Sequence, residues 1–175
     1  MVDYWIFNVK DDKNEKYRNN GREIYNHRML EGFWGIQEYN SDGRKAANVN
    51  SLKLGDKVVY YLIGESGKQF LGTAVLASSF KILEKDEVKK LSHEEYLDWN
   101  QGVHLTDIKI WNKTLPIERL RGKASFVPVE GNYGSFLQGS IKKILKPDFE
   151  AIESEHDLLI EYLLQKGLIH SKSEG

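Results

Sequence analysis

Few residue types in this chain could carry out covalent chemistry. None of the 175 residues is cysteine, which removes thiol nucleophiles, thiolate metal sites and disulfide frameworks together. The five histidines, His27, His93, His104, His156 and His170, fall in no recognisable motif. No HExxH spacing, nucleophile elbow, Walker loop or dinucleotide fingerprint occurs. Asp11-Asp12 and Glu94-Glu95 are carboxylate pairs inside charged stretches, so they read as solvated faces. Metal binding would need clustered histidines and carboxylates, and the spacing offers none. His104 sits in an alternating segment, where a packed or solvent-facing ring is a simpler reading than a catalytic base. The expectation is a protein without catalytic residue, metal or cofactor.

Aromatic rings are the better candidates for function. They make up 11% of the chain, with four tryptophans and nine tyrosines. Trp5 lies inside an apolar run and Trp111 closes an alternating one, so both read as core. Trp34 stands between Phe33 and Gly35, where a small neighbour lets a flat ligand approach its face. Trp99 lies in the polar stretch 98–102, which is harder to account for as core. Two such rings suit stacking and cation–π contact with a base or a methylated group.

Charge narrows the partner. The formal net charge of -1, from 25 Lys and Arg against 26 Asp and Glu, excludes a chain coated uniformly in positive charge. That balance conceals a local imbalance. Residues 109–146 hold eight basic side chains against two acidic ones, a net of +6, whereas 148–175 hold seven acids against two lysines, a net of -5. A basic stretch beside aromatic residues is what phosphate contact with base stacking requires; an unevenly charged soluble surface is the plainer alternative. The N-terminus lacks a basic region leading into an apolar one, and the longest apolar runs fall far short of the ~20 residues of a membrane helix. A cytoplasmic protein without a membrane partner is expected.

The elements that must position these residues follow from periodicity. Residues 4–9 are β-branched and aromatic and predict a buried first strand; 10–20 read as a loop. A short helix over 24–30 ends near Gly32, and 33–36 form a compact apolar segment. A turn at 52–57 delivers a central strand at 58–63, and the Gly-containing loop 64–68 joins it to a strand over 70–76 as a hairpin. Helix-forming composition covers 84–98. The period-two pattern of 103–111 predicts a half-buried strand. Residues 126–129 contain Pro128 and read as a short edge strand, 130–139 as a Gly-rich loop, 140–145 as a short strand or turn, and 148–164 as an amphipathic terminal helix. Strand pairs are adjacent rather than alternating with helices, so the fold class is α+β, with a curved, mostly antiparallel sheet or barrel flanked by helices. At this length one domain is expected over 1–150, with a C-terminal helix over 151–170 packed on it and a polar, frayed tail or linker start at 171–175.

In this order the pieces resemble an EVE domain of the PUA-like superfamily, related to YTH and ASCH domains. Tyr4-Trp5-Ile6-Phe7 resembles the opening strand of that family. Phe33-Trp34-Gly35-Ile36-Gln37-Glu38-Tyr39, then Leu54-Gly55-Asp56-Lys57 into Val58-Val59-Tyr60-Tyr61, resembles its tryptophan segment followed by a Gly-Asp turn into a strand. Gly67-Lys68-Gln69-Phe70-Leu71-Gly72-Thr73-Ala74-Val75 resembles the next strand. Leu115-Pro116 and the Gly131-Asn132-Tyr133-Gly134-Ser135 loop before Gln138-Gly139-Ser140 are similar to YTH-like proteins. The similarity spans roughly residues 3–150.

The resemblance implies a non-catalytic reader that accepts one flipped-out, modified nucleobase in an aromatic cage on a barrel-like sheet. Carried over by position, Trp34 is one wall and Trp99 the second, with Asn26, Ile36 and Tyr39 lining the pocket. Asn132 and Tyr133 occupy the place of a YTH phosphate-and-base loop whose Arg this chain lacks, and Lys68, Arg119, Arg121 and Lys123 would supply phosphate contacts instead. YTH-like members imply RNA with N6-methyladenosine. EVE-like modules also resemble the targeting domains of modification-dependent, McrB-type restriction systems, which implies modified DNA and a fused or associated NTPase or nuclease. Two further readings stand beside these: a small-molecule or nucleotide-binding enzyme on the same fold, and a protein-interaction module whose tryptophans are core.

Overall fold

Strand β1, Tyr4–Val9, is buried along both faces and sits inside the sheet rather than at its edge. A computed structural model of the chain describes residues 1–11, 20–39, 42–46, 48–64, 67–91 and 100–175. Six further strands complete the sheet: β2 (Phe33–Gly35), β3 (Lys57–Leu62), β4 (Gln69–Leu76), β5 (Lys81–Ile82), β6 (Gln101–Pro116) and β7 (Ile141–Ile144). Their order is β2-β6-β4-β3-β1-β7, with β5 also pairing β6. β1 and β3 run parallel, in the register Trp5 with Val58 and Phe7 with Tyr60, and the other pairings are antiparallel. The result is a curled mixed sheet forming a half-barrel with helices against it, an α+β architecture.

Alternation along β1 builds two cores. Trp5, Phe7 and Val9 face one cluster with Val58, Tyr60 and Leu62, and helix α1 (Gly21–Glu31) closes that side with Tyr25 and Met29. Ile6 turns the other way, beside Val59 and Tyr61, and helix α3 (Lys146–Gln165) covers it with Phe149 and Ile152. A strand buried on both faces must be apolar at every position, which is why residues 4–9 show no polar alternation apart from Asn8. Both long helices have clear boundaries. Asn20 accepts from the Glu23 amide at 2.9 Å to open α1. Gly32 closes it at φ +66°, the left-handed conformation that glycine adopts without a Cβ penalty.

The Gly55-Asp56 turn fixes the parallel pair. Asp56 is 1% exposed. Its carboxylate accepts from the Trp5 indole N–H at 2.9 Å and from the amides of Asp3 and Lys53, each at 3.0 Å. Three N–H donors replace the water that a buried carboxylate loses. They also clamp the start of β1 onto the turn entering β3.

Several expectations change. The predicted helix over 84–98 is the single turn α2, Lys85–Val88, among the described residues; 92–99 lie outside them. The alternating strand is longer than 103–111. It runs over Gln101–Pro116 with bulges that let it follow the curl of β4. Residues 126–129 are not a strand. Phe126 and Val127 are buried in the second core, the Val127 amide donates to the Ala124 carbonyl at 3.0 Å, and Pro128 has no N–H for a ladder. At the tail, residues 172–174 form a 3₁₀ turn and the Asn112 amide donates to the Gly175 carbonyl at 3.2 Å.

Replacing Asp56 by alanine would leave three donors without an acceptor, a loss of about 3–5 kcal/mol. Urea unfolding followed by circular dichroism should show it, with Asp56→Asn intermediate because one acceptor oxygen remains. A change below about 1 kcal/mol would mean the clamp does not hold the fold.

Candidate functional site

Two neighbouring cavities open near one end of β1, and Lys10 lines both. The first, about 570 Å³, is built where α1 turns into β2. β2 pairs antiparallel with β6, setting Trp34 opposite Val103 and Gly35 opposite Gly102. Gly102 makes this close approach possible, since a Cβ there would lie 2.0 Å from the Trp34 carbonyl oxygen. The Trp34 ring lies 4.7 Å from Tyr60, and the Arg28 guanidinium sits 4.6 Å from its centroid. Trp34 is only 3% exposed, so it forms the floor of the cavity rather than a projecting wall. Tyr39, 54% exposed, is the open aromatic of this rim. Its segment is held by the bridge from Tyr39 to Lys45 and by the Glu38 amide donating to Gln101 Oε1 at 3.0 Å.

The second cavity, about 670 Å³, lies between the β3–β4 connection and the loop before β7. Here Glu118 takes Arg121 Nε at 2.6 Å and Nη2 at 3.2 Å, and accepts from the Tyr133 hydroxyl at 2.8 Å. Arg121 also donates to the carbonyls of Pro128 and Gly131, and stacks 5.2 Å from the Tyr133 ring centroid. The hydrogen bond from Arg121, then that from Tyr133, holds the Glu118 carboxyl below its ordinary value. Burial first, and the same carboxylate second, push the Tyr133 hydroxyl up.

Asn8 joins the two cavities. Its Nδ2 donates to the carbonyls of Leu137 at 2.6 Å and Gly139 at 2.7 Å, and its amide donates to Ser140 at 2.9 Å. This ties the loop before β7 to the end of β1. Leu137 and Gly139 line the second cavity, and Asn8 and Ser140 the first.

The residues singled out in the sequence therefore divide. Trp34, Ile36 and Tyr39 line the first cavity; Lys68, Arg121, Asn132 and Tyr133 line the second. Asn26 is exposed on α1 and lines neither. Trp99, expected as a second wall, lies outside the described residues. Arg119 and Lys123 turn to the nearly buried Glu155 of α3: Arg119 Nε is 3.7 Å from Oε2, and Lys123 Nζ bonds Oε1. Lys146 pairs with Glu150 at 3.5 Å and Lys143 with Asp3 at 2.8 Å. The basic stretch and the acidic tail thus neutralise each other in part instead of forming separate surfaces. The sequence reading missed Asn8, Lys10 and Arg28. Asn8 carried a signal, being polar in an otherwise apolar strand.

Outside the cavities, His104 is half-buried, donates its amide to Ser78 Oγ at 2.9 Å, and has a ring pKa lowered first by burial and then by Lys81. Among the described residues, no three His, Asp or Glu side chains cluster so as to hold a metal, and no helix is long and apolar enough to cross a membrane.

No family model matches the chain, and no curated protein matches it. Solved structures do. Human THYN1, solved in complex with DNA containing 5-methylcytosine, is 12% identical, with a TM-score of 0.53 over 88% of this chain and 98% of that one. Rpa0253 from Rhodopseudomonas palustris is 10% identical with a TM-score of 0.53, covering 90% of this chain and 95% of its own. The N-terminal domain of McrB from Staphylothermus marinus is 14% identical with a TM-score of 0.50, covering 88% and 94%. The chain has a PUA-like fold. At these identities the likeness rests on backbone geometry and extends to the fold alone.

Glu118 has a lowered carboxyl pKa, so its network adds stability above the ordinary value of 4.5, and that stability is lost as pH falls through the folded-state value. Melting temperatures measured from pH 6 to pH 3 should fall less steeply in Glu118→Gln than in the wild type. Parallel curves would show that the carboxylate does not couple to folding.

Proposed function

We propose that this chain is a non-catalytic reader of modified nucleic acid, which takes one flipped-out base into the cavity floored by Trp34. One observation carries the reading: a cavity of about 570 Å³ brings a buried tryptophan, an exposed tyrosine and two cations, Arg28 and Lys10, to one place. A flat, polarisable ligand with a phosphate attached has the chemistry to use all four. Stacking on the exposed Tyr39, above the Trp34 floor, offsets the unstacking of the base. Lys10 and Lys68, which have no ion-pair partner among the described residues, lie along the two cavities for the backbone of the strand.

The fold supports this reading, because human THYN1 was solved with 5-methylcytosine DNA and the McrB N-terminal domain has the same architecture. We take modified DNA as the ligand and a place as the targeting module of a restriction system as the role, in the cytoplasm and with an NTPase or nuclease partner. RNA carrying N6-methyladenosine is the competing ligand implied by the YTH-like loop. Arg121 is engaged by Glu118 and two carbonyls, and Arg119 and Lys123 by Glu155. In this reading all three therefore position the loops instead of binding phosphate.

Fluorescence anisotropy at low salt, with DNA and RNA oligonucleotides with and without 5-methylcytosine or N6-methyladenine, tests the proposal. Modified DNA should bind more tightly than its unmodified match. Tyr39→Ala should weaken it about tenfold, and Lys10→Glu should lower affinity alike for both and flatten the salt dependence. Trp34→Phe keeps the core filled and should reduce the preference for the modified base. Binding by no oligonucleotide, or equal binding of modified and unmodified strands, would sink the reading.

A further inference from the structure

The acceptors in the wall of the second cavity are largely committed within the protein. Glu118 takes Arg121 and the Tyr133 hydroxyl. The carbonyls of Leu137 and Gly139 take Asn8 Nδ2, that of Gly131 takes Arg121, and that of Gly64 takes the Gly67 amide. Asn132 Oδ1 accepts from the Gly134 amide at 2.7 Å, which leaves its Nδ2 as a donor. Arg121 neutralises Glu118, so Lys10 and Lys68, without ion-pair partners among the described residues, set the sign of the cavity. Val9 pairs with Leu62 and Leu62 with Gln69. The two lysines therefore leave the same end of the sheet from β1 and β4, two strands and about 10 Å apart. Two flexible side chains at that spacing can close on one anion. Lys68 also has φ +64°, in the left-handed region where a residue with a Cβ is uncommon. Glycine would fit that turn with less strain, so its backbone does not account for a lysine and its amine does.

We infer that the second cavity is a binding site for a nucleoside monophosphate unit, with the phosphate between Lys10 and Lys68 and the nucleoside against Tyr61, Ile63 and Tyr133. Free donors beside committed acceptors select an anion rich in acceptor atoms. Its cations are two ammonium groups, compact charges that suit a phosphate, because the guanidinium fork of Arg121 is already engaged. A bare ion would leave most of the cavity empty. About 670 Å³ with two tyrosines, Ile63 and Leu137 in its lining has the size and apolar character of a small-molecule site, and takes a planar body behind the anion. Tyr133 is held in place for this by its hydroxyl bond to Glu118 and by Arg121 against its ring. Two sources carry this chemistry: a free nucleotide, and the nucleotide next to a base held in the Trp34 cavity, since Lys10 lines both. The strand source rests on the reader function proposed above, and the free-nucleotide source does not.

Nuclear magnetic resonance titrations of the isotope-labelled whole chain read both sources at once. The amides of Gly64, Asn132, Gly134 and Gly139 report the second cavity, and those of Gly35, Ile36 and Tyr39 the first. Adenosine and cytidine monophosphates would be titrated beside their nucleosides and inorganic phosphate. A single strand carrying 5-methylcytosine or N6-methyladenine would be titrated beside strands made abasic at the position on either side of it. A free-nucleotide site shows a monophosphate moving the second-cavity amides at least tenfold more tightly than nucleoside or phosphate alone. A strand site shows the modified strand moving them, and losing those shifts when one neighbour is abasic. Lys68→Gly removes the amine and relieves the backbone, so it should weaken either binding about tenfold without lowering the melting temperature. Second-cavity amides unmoved by every nucleotide and strand, phosphate alone binding as tightly as the monophosphate with no abasic effect, or affinity unchanged in Lys68→Gly overturns the site. A strand that moves the first-cavity amides alone, with no free nucleotide moving the second, overturns it and leaves the reader function standing. If no strand binds, the reader function falls and the free-nucleotide titrations alone decide this site.

Discussion

The buried Asp56 carboxylate is the constraint on which the rest of this structure depends. It draws together the amides of Asp3 and Lys53 and the indole of Trp5, and so joins the first strand to a turn some fifty residues later. A parallel pairing has no hairpin to set its register. Here the register of β1 with β3 follows from the clamp: once Trp5 is bonded to Asp56, Tyr4 falls beside Lys57 and Phe7 beside Tyr60. Away from water these three donors satisfy the Asp56 oxygens, so the turn and the strand cannot separate without breaking these bonds.

From that register the site follows by alternation. β1 sends Trp5 and Phe7 to the α1 side and Ile6 to the α3 side. At its end, Asn8 reaches the loop before β7 while its neighbours Val9 and Lys10 lead into the first cavity. The same strand that fills both cores thus also pins the loop that separates the two cavities. β2 is positioned from the opposite direction, through the α1 cap at Gly32 and the glycine contact at Gly102. Trp34 is thereby held from both sides, by the end of α1 and by β6.

Much of the fold was legible because its signals are local. The continuous apolar run of β1, the glycine-bounded hairpin of β3 and β4, and the 3.6-residue pattern of α3 each depend on near neighbours. The failures have a common cause. Phe126 and Val127 have strand-forming side chains, but Pro128 and the tight turn from Ala124 deny them a ladder, and they serve the second core instead. The register of β6 against β4 shifts twice, between Thr106 and Lys109 and again between Ile110 and Leu115, so no single period-two pattern carries the strand on to its end at Pro116. Within the site, aromatic type and a glycine neighbour pointed to Trp34, yet its burial under Arg28 and beside Tyr60 depends on α1 and β3.

The sequence by itself determined the fold class, the absence of thiol chemistry and the candidate aromatic residues, because these depend on composition and on periodicities within one element. Only the tertiary structure decided how charge and polar groups are used. The +6 stretch and the -5 tail are separate in sequence, but Glu155 on α3 faces Arg119 and Lys123, so the asymmetry that suggested a phosphate surface is partly spent inside the fold. Tyr133 and Trp34, read as one pocket, belong to two cavities joined by Asn8 across 129 residues of sequence. Coulomb and hydrogen-bond energies depend on separation in space, and spacing along the chain does not encode it once strands cross from one end of a sheet to the other.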